Sequence, residues 1–244
     1  MAIYHFSVKT VSRSTGRSAV AAAAYRSASK LVCPRTGLTH DYRRRQRGVL
    51  AQRLFLPRDL TMSRQQIWSA AELAETRKNS TVAREIEVAL PHELTLQQQQ
   101  ALLSQFAREL IEKHGVAVDI AIHAPSKNGD EKNVHAHILM TTRRILETGQ
   151  LGEKTREWDD RKSGTVEFWR ERWSQIVNEA LEKAGHDARI DHRSLKEQGI
   201  DRIPGRHHGV SATAIERKKR GASRRIDDLQ KEQKEAKKRK SRAR

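Results

Sequence analysis

Cysteine is almost absent: Cys33 stands alone among 244 residues. One thiol closes no disulfide and cannot build a thiolate metal centre, so both are excluded. Long apolar runs are missing as well. No stretch approaches the roughly 20 residues needed to cross a bilayer, and the opening residues lack the charged-then-apolar order of a signal sequence. The expectation is a cytoplasmic protein with no membrane insertion. Hydrophobic residues make up only 36% against 32% charged, a balance that suits a lean globular core with a solvated appendage. There is no Walker-type Gly-rich phosphate loop, no zinc-knuckle spacing and no internal repeat.

What the chain has in excess is positive charge, a formal +18 at pH 7. Residues 210–244 hold 14 Lys/Arg against 5 Asp/Glu, so half of the excess sits in the last seventh and half is spread over the body. A basic body together with a basic tail points to a polyanion, and nucleic acid is the commonest one. The basic segments carry too few interleaved large apolar side chains to insert into a membrane surface. Two parts are therefore expected: a body over 1–209 and a basic helical tail over 210–244. The tail should add sequence-independent DNA affinity by displacing counterions from phosphates.

Periodicity divides the body. Ile3, His5 and Ser7 alternate with Tyr4, Phe6 and Val8, which predicts a strand over 2–11. After a turn at 12–16, Ser18 can cap an Ala-rich helix over 19–31 that Pro34 stops. A basic connection, 35–48, leads to a strand over 49–56, then a helix over 63–76 and a strand over 81–90. A helix over 95–114 precedes strands over 116–123 and 133–143, joined by a polar loop at 125–132. A Trp-bearing helix over 166–184 follows, then an irregular stretch to 209. Hairpin-type links between neighbouring strands make the class α+β, with a central antiparallel sheet and flanking helices.

The strand over 133–143 carries chemistry. Alternation puts His135, His137, Leu139 and Thr141 on one face and Val134, Ala136, Ile138 and Met140 on the other, which is continuously apolar and must face the core. Two imidazoles two residues apart on one face lie about 7 Å apart along the backbone, close enough to share a metal ion. The preceding strand buries Val116, Val118, Ile120 and Ile122 and leaves Asp119 and His123 opposite. If the hairpin is centred on Gly129, His123 faces His135; a two-residue Asn128-Gly129 turn would shift the register and turn His123 away. The candidate metal ligands are therefore His123, His135 and His137. Glu85 and Glu87 share a face of the strand over 81–90. Carboxylates on a DNA-facing sheet make sense if they orient a histidine, bind metal or accept a proton; otherwise they mark the solvent face of an edge strand.

Of three tyrosines, Tyr4, Tyr25 and Tyr42, Tyr25 stands out. It follows four alanines, which allow a DNA backbone to approach closely, and Arg17 and Arg26 can hold phosphates beside it. The bland alternative is a helix tyrosine with a buried ring and a wet hydroxyl. Lys9, Arg13, Arg84 and Arg143 complete the candidate DNA-binding residues.

In order, the chain shows the opening run MAIYHFSVKTVSRSTGRSAVAAAAYR, then Glu85-Ile-Glu-Val-Ala-Leu-Pro91. The pair Ala121-Ile-His-Ala and Asn133-Val-His-Ala-His follows, and then Ala184-Gly-His-Asp-Ala-Arg-Ile-Asp-His-Arg193. This combination, spanning about 1–209, resembles the MobA/MobL family of plasmid mobilisation relaxases, within the His-hydrophobe-His nickases. The resemblance implies a palm-like sheet, a three-histidine site for Mn2+ or Mg2+ and a nucleophilic tyrosine near the end of the first helix. Tyr25, His123, His135 and His137 occupy those positions; the phenol needs deprotonating, and Glu85, Glu87 or the field of the metal could assist. It implies site- and strand-specific nicking and rejoining of single-stranded DNA at a transfer origin beside a hairpin, aided by accessory and coupling proteins. Longer members of the family carry a primase or helicase module. The competing readings are a rolling-circle replication initiator, a histidine-metal phosphodiesterase using water, and a non-catalytic nucleic-acid-binding protein.

Overall fold

Alternation along five strands decides the architecture. The computed structural model describes residues 2–58, 60–125, 132–201 and 215, and contacts divide the chain into Met1–Arg193 and Ser194–Arg244. The first unit contains β1 (Phe6–Ser12), α1 (Ala19–Arg26), β2 (Lys30–Val32), β3 (Thr39–Asp41), β4 (Val49–Phe55), α2 (Arg64–Leu73) and β5 (Thr81–Ala89). It continues with α3 (Leu96–His114), β6 (Val118–His123), β7 (His135–Met140), β8 (Arg143–Ile145), β9 (Leu151–Lys154) and α4 (Thr165–Lys183). In the second unit, Ser194 and Glu197 bond reciprocally through side chain and backbone at 2.7 to 3.3 Å. The class is α+β, as the sequence predicts.

The main sheet runs β1-β5-β7-β6-β4, antiparallel throughout. On one face Phe6, Ile86, Val88, Ile120, Ile122, Ile138 and Met140 pack under α3 and α4, around Phe106, Trp169 and Trp173. Burying each such side chain contributes about 1.5–3 kcal/mol, so this face sets the register. On the opposite face α1 and α2 cover the end that holds Val11, Ala83, Ala117 and Leu139. The other end of that face carries the histidines.

Local chemistry starts and stops the helices. Ser18 accepts from the Ala21 N–H at the start of α1. Ser63 with Gln66, and Thr95 with Gln98, form reciprocal capping boxes on α2 and α3. Gly115, at φ +63°, ends α3 in the left-handed conformation that glycine adopts without strain.

Three expectations change. The first helix ends at Arg26, not near 31. The Ser27 hydroxyl bonds back to the Ala23 carbonyl at 2.7 Å, Ala28 adopts φ +48°, and the reversed chain enters the small β2–β3 hairpin. The strand beginning near 133 ends at Met140, because Arg143–Ile145 pairs instead with Leu151–Lys154. β5 is an interior strand between β1 and β7, which removes the edge-strand explanation of Glu85 and Glu87. The 125–132 turn and the basic tail lie outside the described residues apart from Pro125, Lys132 and Ile215. Among the described residues no helix is long and apolar enough to cross a membrane.

Candidate active site

His123 on β6 stands directly opposite His135 on β7, and His137 lies opposite Ala121 on one side and Glu87 on the other. This is the register symmetric about Gly129. Because Ala136, Ile138 and Met140 are held in the core, the alternate residues His135 and His137 must project from the other face. The three rings lie with centroids 4.7 to 5.6 Å apart, and one ring nitrogen from each falls within 4.8 Å of the others.

Each imidazole is also tied from behind. His123 Nε2 lies 2.7 Å from the Arg26 carbonyl, His135 Nδ1 3.1 Å from the Asn133 carbonyl, and His137 Nδ1 2.6 Å from Glu85 Oε1. Carbonyl and carboxylate oxygens only accept, so in a neutral imidazole these nitrogens carry the proton and the second nitrogen of the ring holds the lone pair. Three lone pairs, each fixed by an outer acceptor, suit a divalent cation. Burial pushes His123 down to about 4, only partly offset by its bond to Arg26, with His137 and His135 pressing the same way. Burial lowers His135 as well. Neither ring needs to lose a proton near neutrality before it can bind a metal.

The two carboxylates divide their work. Burial would raise Glu85, but bonds from His137 and the fork of Arg26, together with their charges, hold it at about 2. A carboxylate so engaged orients its partners and makes a poor base. Burial would raise Glu87, but the bond and charge of Lys9, together with His137 and His5, lower the carboxyl on balance. Its side chain is 24% exposed against 3% for Glu85.

Tyr25 occupies the last turn of α1 and is 36% exposed. The helix is anchored at its start by Glu72 of α2, which is wholly buried, accepts from the Ala19 N–H at 2.9 Å and pairs with Arg13 and Arg35. At its end the Arg26 carbonyl meets His123 and the Arg26 guanidinium grips Glu85. One residue after Tyr25 thus touches both sides of the histidine cluster.

The six basic candidates separate. Lys9 and Arg17 are exposed, Lys9 as the partner of Glu87. Arg84 requires correction: it is 2% exposed, sits on the core face of β5 and bonds Thr155 and Asp159, so it has no surface to offer a phosphate. Arg13 is likewise committed to Glu72 and to the carbonyls of Glu75 and Arg77. Arg143 bonds Glu75 and the Gly152 carbonyl, and Arg26 belongs to the histidine site.

Other contributors carry no local sequence signal. Asp119, on the histidine face, is taken by Arg64 and the Trp68 indole N–H. His5 falls in the row of His135 and His123, because its carbonyl accepts from Ala89, the residue opposite His135. Tyr42 and Arg45 lie against the ring of Tyr25.

The model of the MobA/MobL family matches residues 17–218. Mobilization protein MobL of Acidithiobacillus ferridurans is 41% identical over 259 residues, covering 95% of this chain and 68% of the relative. Mobilization protein A of Escherichia coli is 37% identical over 235 residues, and the match covers 88% of this chain but 30% of that protein. A solved structure from work on the molecular basis of vancomycin resistance transfer in Staphylococcus aureus superposes with a TM-score of 0.70 at 32% identity. The overlap is 79% of this chain and 100% of that one.

Proposed function

The chain belongs to the MobA/MobL family, and from that premise we propose that it is a relaxase that nicks and rejoins single-stranded DNA at a transfer origin, with Tyr25 as nucleophile. One observation carries the reading. Three imidazoles, each fixed in tautomer by an outer acceptor, converge beside the end of the helix that bears an exposed tyrosine. A surface that only bound DNA would have no use for three aligned lone pairs.

His123, His135 and His137 would hold a divalent cation, Mn2+ or Mg2+, whose contribution is Lewis-acid stabilisation of charge on the non-bridging phosphate oxygens. The protein supplies the rest. The Tyr25 oxygen forms the new bond to phosphorus as the bond from phosphorus to the 3′ oxygen breaks. The phenolic proton leaves and a proton is delivered to the 3′ oxygen, giving a 5′-phosphotyrosine and a 3′-hydroxyl. One phosphodiester replaces another, so the step runs backward to rejoin the strand. Glu85 and Arg26 orient the site, and Glu87, the more open carboxylate, could take part in proton traffic only on release from Lys9.

The basic excess serves a nucleic-acid partner in the cytoplasm. That partner is single-stranded origin DNA next to a hairpin, with accessory and coupling proteins of the transfer machinery alongside. The nicking chemistry lies within the Met1–Arg193 unit, inside the 1–209 body expected from the sequence, and 210–244 would be the basic extension.

The test is a covalent adduct. The protein, Mn2+ and single-stranded oligonucleotides tiling the DNA that flanks its gene should give a protein–DNA band that survives denaturant and disappears with a chelator. DNA retained only under native conditions, with no cut strand, would reduce the protein to a binder.

A further inference from the structure

The exposed side of α1 is held by a segment that the proposed chemistry has not used. The Tyr42 ring meets the Tyr25 ring edge to face, with centroids 5.2 Å apart and planes at 81°. The Arg45 guanidinium lies 4.3 Å from the Tyr25 ring centroid. The backbone fixes both. The Tyr42 N–H donates to the Ser29 carbonyl at 3.0 Å, just beyond the end of α1, and the Arg45 N–H donates to the Tyr42 carbonyl at 2.8 Å. Tyr42 packs against the apolar cluster of α1 and α2. Within the same run, Arg43 is committed to Asp41, whereas Arg45 is the arginine placed over the ring.

In-line displacement needs the attacking oxygen within a narrow range of position and angle. An exposed tyrosine at the end of a helix has two soft torsions that would scatter that oxygen. An aromatic edge and a cation over the ring restrict both torsions by attraction to the ring quadrupole. The attraction to the cation grows as negative charge enters the ring, so the contact is strongest when the oxygen is most nucleophilic.

We propose that Tyr42 and Arg45 are positioning residues that clamp the Tyr25 ring for attack on the phosphate. This rests on the reading of Tyr25 as the nucleophile, and the two can fail separately. The full chain is used in two measurements. One is the single-turnover rate of adduct formation at saturating origin oligonucleotide with Mn2+. The other is the 19F spectrum of DNA-free protein carrying 3-fluorotyrosine, where three tyrosines give resonances assignable by Tyr→Phe substitution.

Arg45→Gln and Tyr42→Ala should each lower the saturated rate roughly tenfold with little change in half-saturating DNA. Arg45→Lys, which keeps a cation, and Tyr42→Phe, which keeps a ring edge, should restore most of it. Arg45→Gln should also shift the Tyr25 resonance without DNA. If Arg45→Gln weakens DNA binding alone at full saturated rate, Arg45 is a phosphate contact and the clamp is wrong. An unmoved Tyr25 resonance overturns it as well. If wild-type protein forms no adduct, the nickase reading falls instead, and the 19F arm alone decides whether the ring is clamped.

Discussion

His137 and Glu85 form a hydrogen-bonded pair, Nδ1 to Oε1 at 2.6 Å, and the Arg26 fork closes on the same carboxylate from the other side. The carboxylate fixes the tautomer of a histidine and at once holds the guanidinium of Arg26, the residue after Tyr25. Glu85→Ala should therefore lower divalent-metal affinity by about 10- to 100-fold, as read by titration calorimetry with Mn2+. Affinity equal to wild type would mean that the pair has no bearing on metal binding.

Acid should weaken the metal-free fold in two steps. His123, pushed down to about 4 in the fold, titrates near 6.5 once unfolded. Between those values the unfolded chain binds the extra proton, so stability falls as pH drops from about 6.5 to 4. Glu85, held at about 2, contributes stability that is complete above its unfolded value near 4.5 and is lost as pH falls toward 2. Urea unfolding at pH 7 and pH 5 should give a lower midpoint at pH 5, and His123→Asn should shrink the difference. An identical midpoint shift in His123→Asn would assign the effect to other groups.

Glu72 anchors the start of α1 with no solvent access, paired to Arg13 and Arg35. Glu72→Ala would strand the buried Arg13 charge and free the Ala19 N–H. A loss of roughly 3–5 kcal/mol is expected in urea unfolding. A change below about 1 kcal/mol would show that α1 is held by its alanine face alone.

The sheet and the histidines were legible because a period of two is unambiguous when one face is continuously apolar. Ala136, Ile138 and Met140 fixed where His135 and His137 had to point, and the capping residue Ser18 marked the start of its helix. The end of α1 was not legible. Ala28 at φ +48° has no sequence signature, since glycine is the residue expected in that conformation. The fates of the arginines were equally hidden, because Arg13, Arg84 and Arg143 are paired by acids distant in sequence. Only the folded chain distinguishes an arginine that meets a phosphate from one that meets Asp159.

That distinction is measurable. Arg84→Ala should destabilise the fold and leave the salt dependence of DNA binding unchanged. Arg17→Ala should leave stability within about 0.5 kcal/mol and flatten the slope of log affinity against log salt by about one unit. Filter binding across a salt series, alongside urea unfolding, checks both. A flattened slope in Arg84→Ala would return that residue to the DNA surface.

Mass spectrometry of the trapped adduct tests whether Tyr25 becomes covalently joined to DNA. After nuclease trimming and proteolysis, a 5′-phosphonucleotide should be found on the Tyr25 peptide, and Tyr25→Phe should yield no adduct while retaining DNA affinity. A nucleotide on Tyr4 or Tyr42, or a full yield of adduct from Tyr25→Phe, would contradict the account.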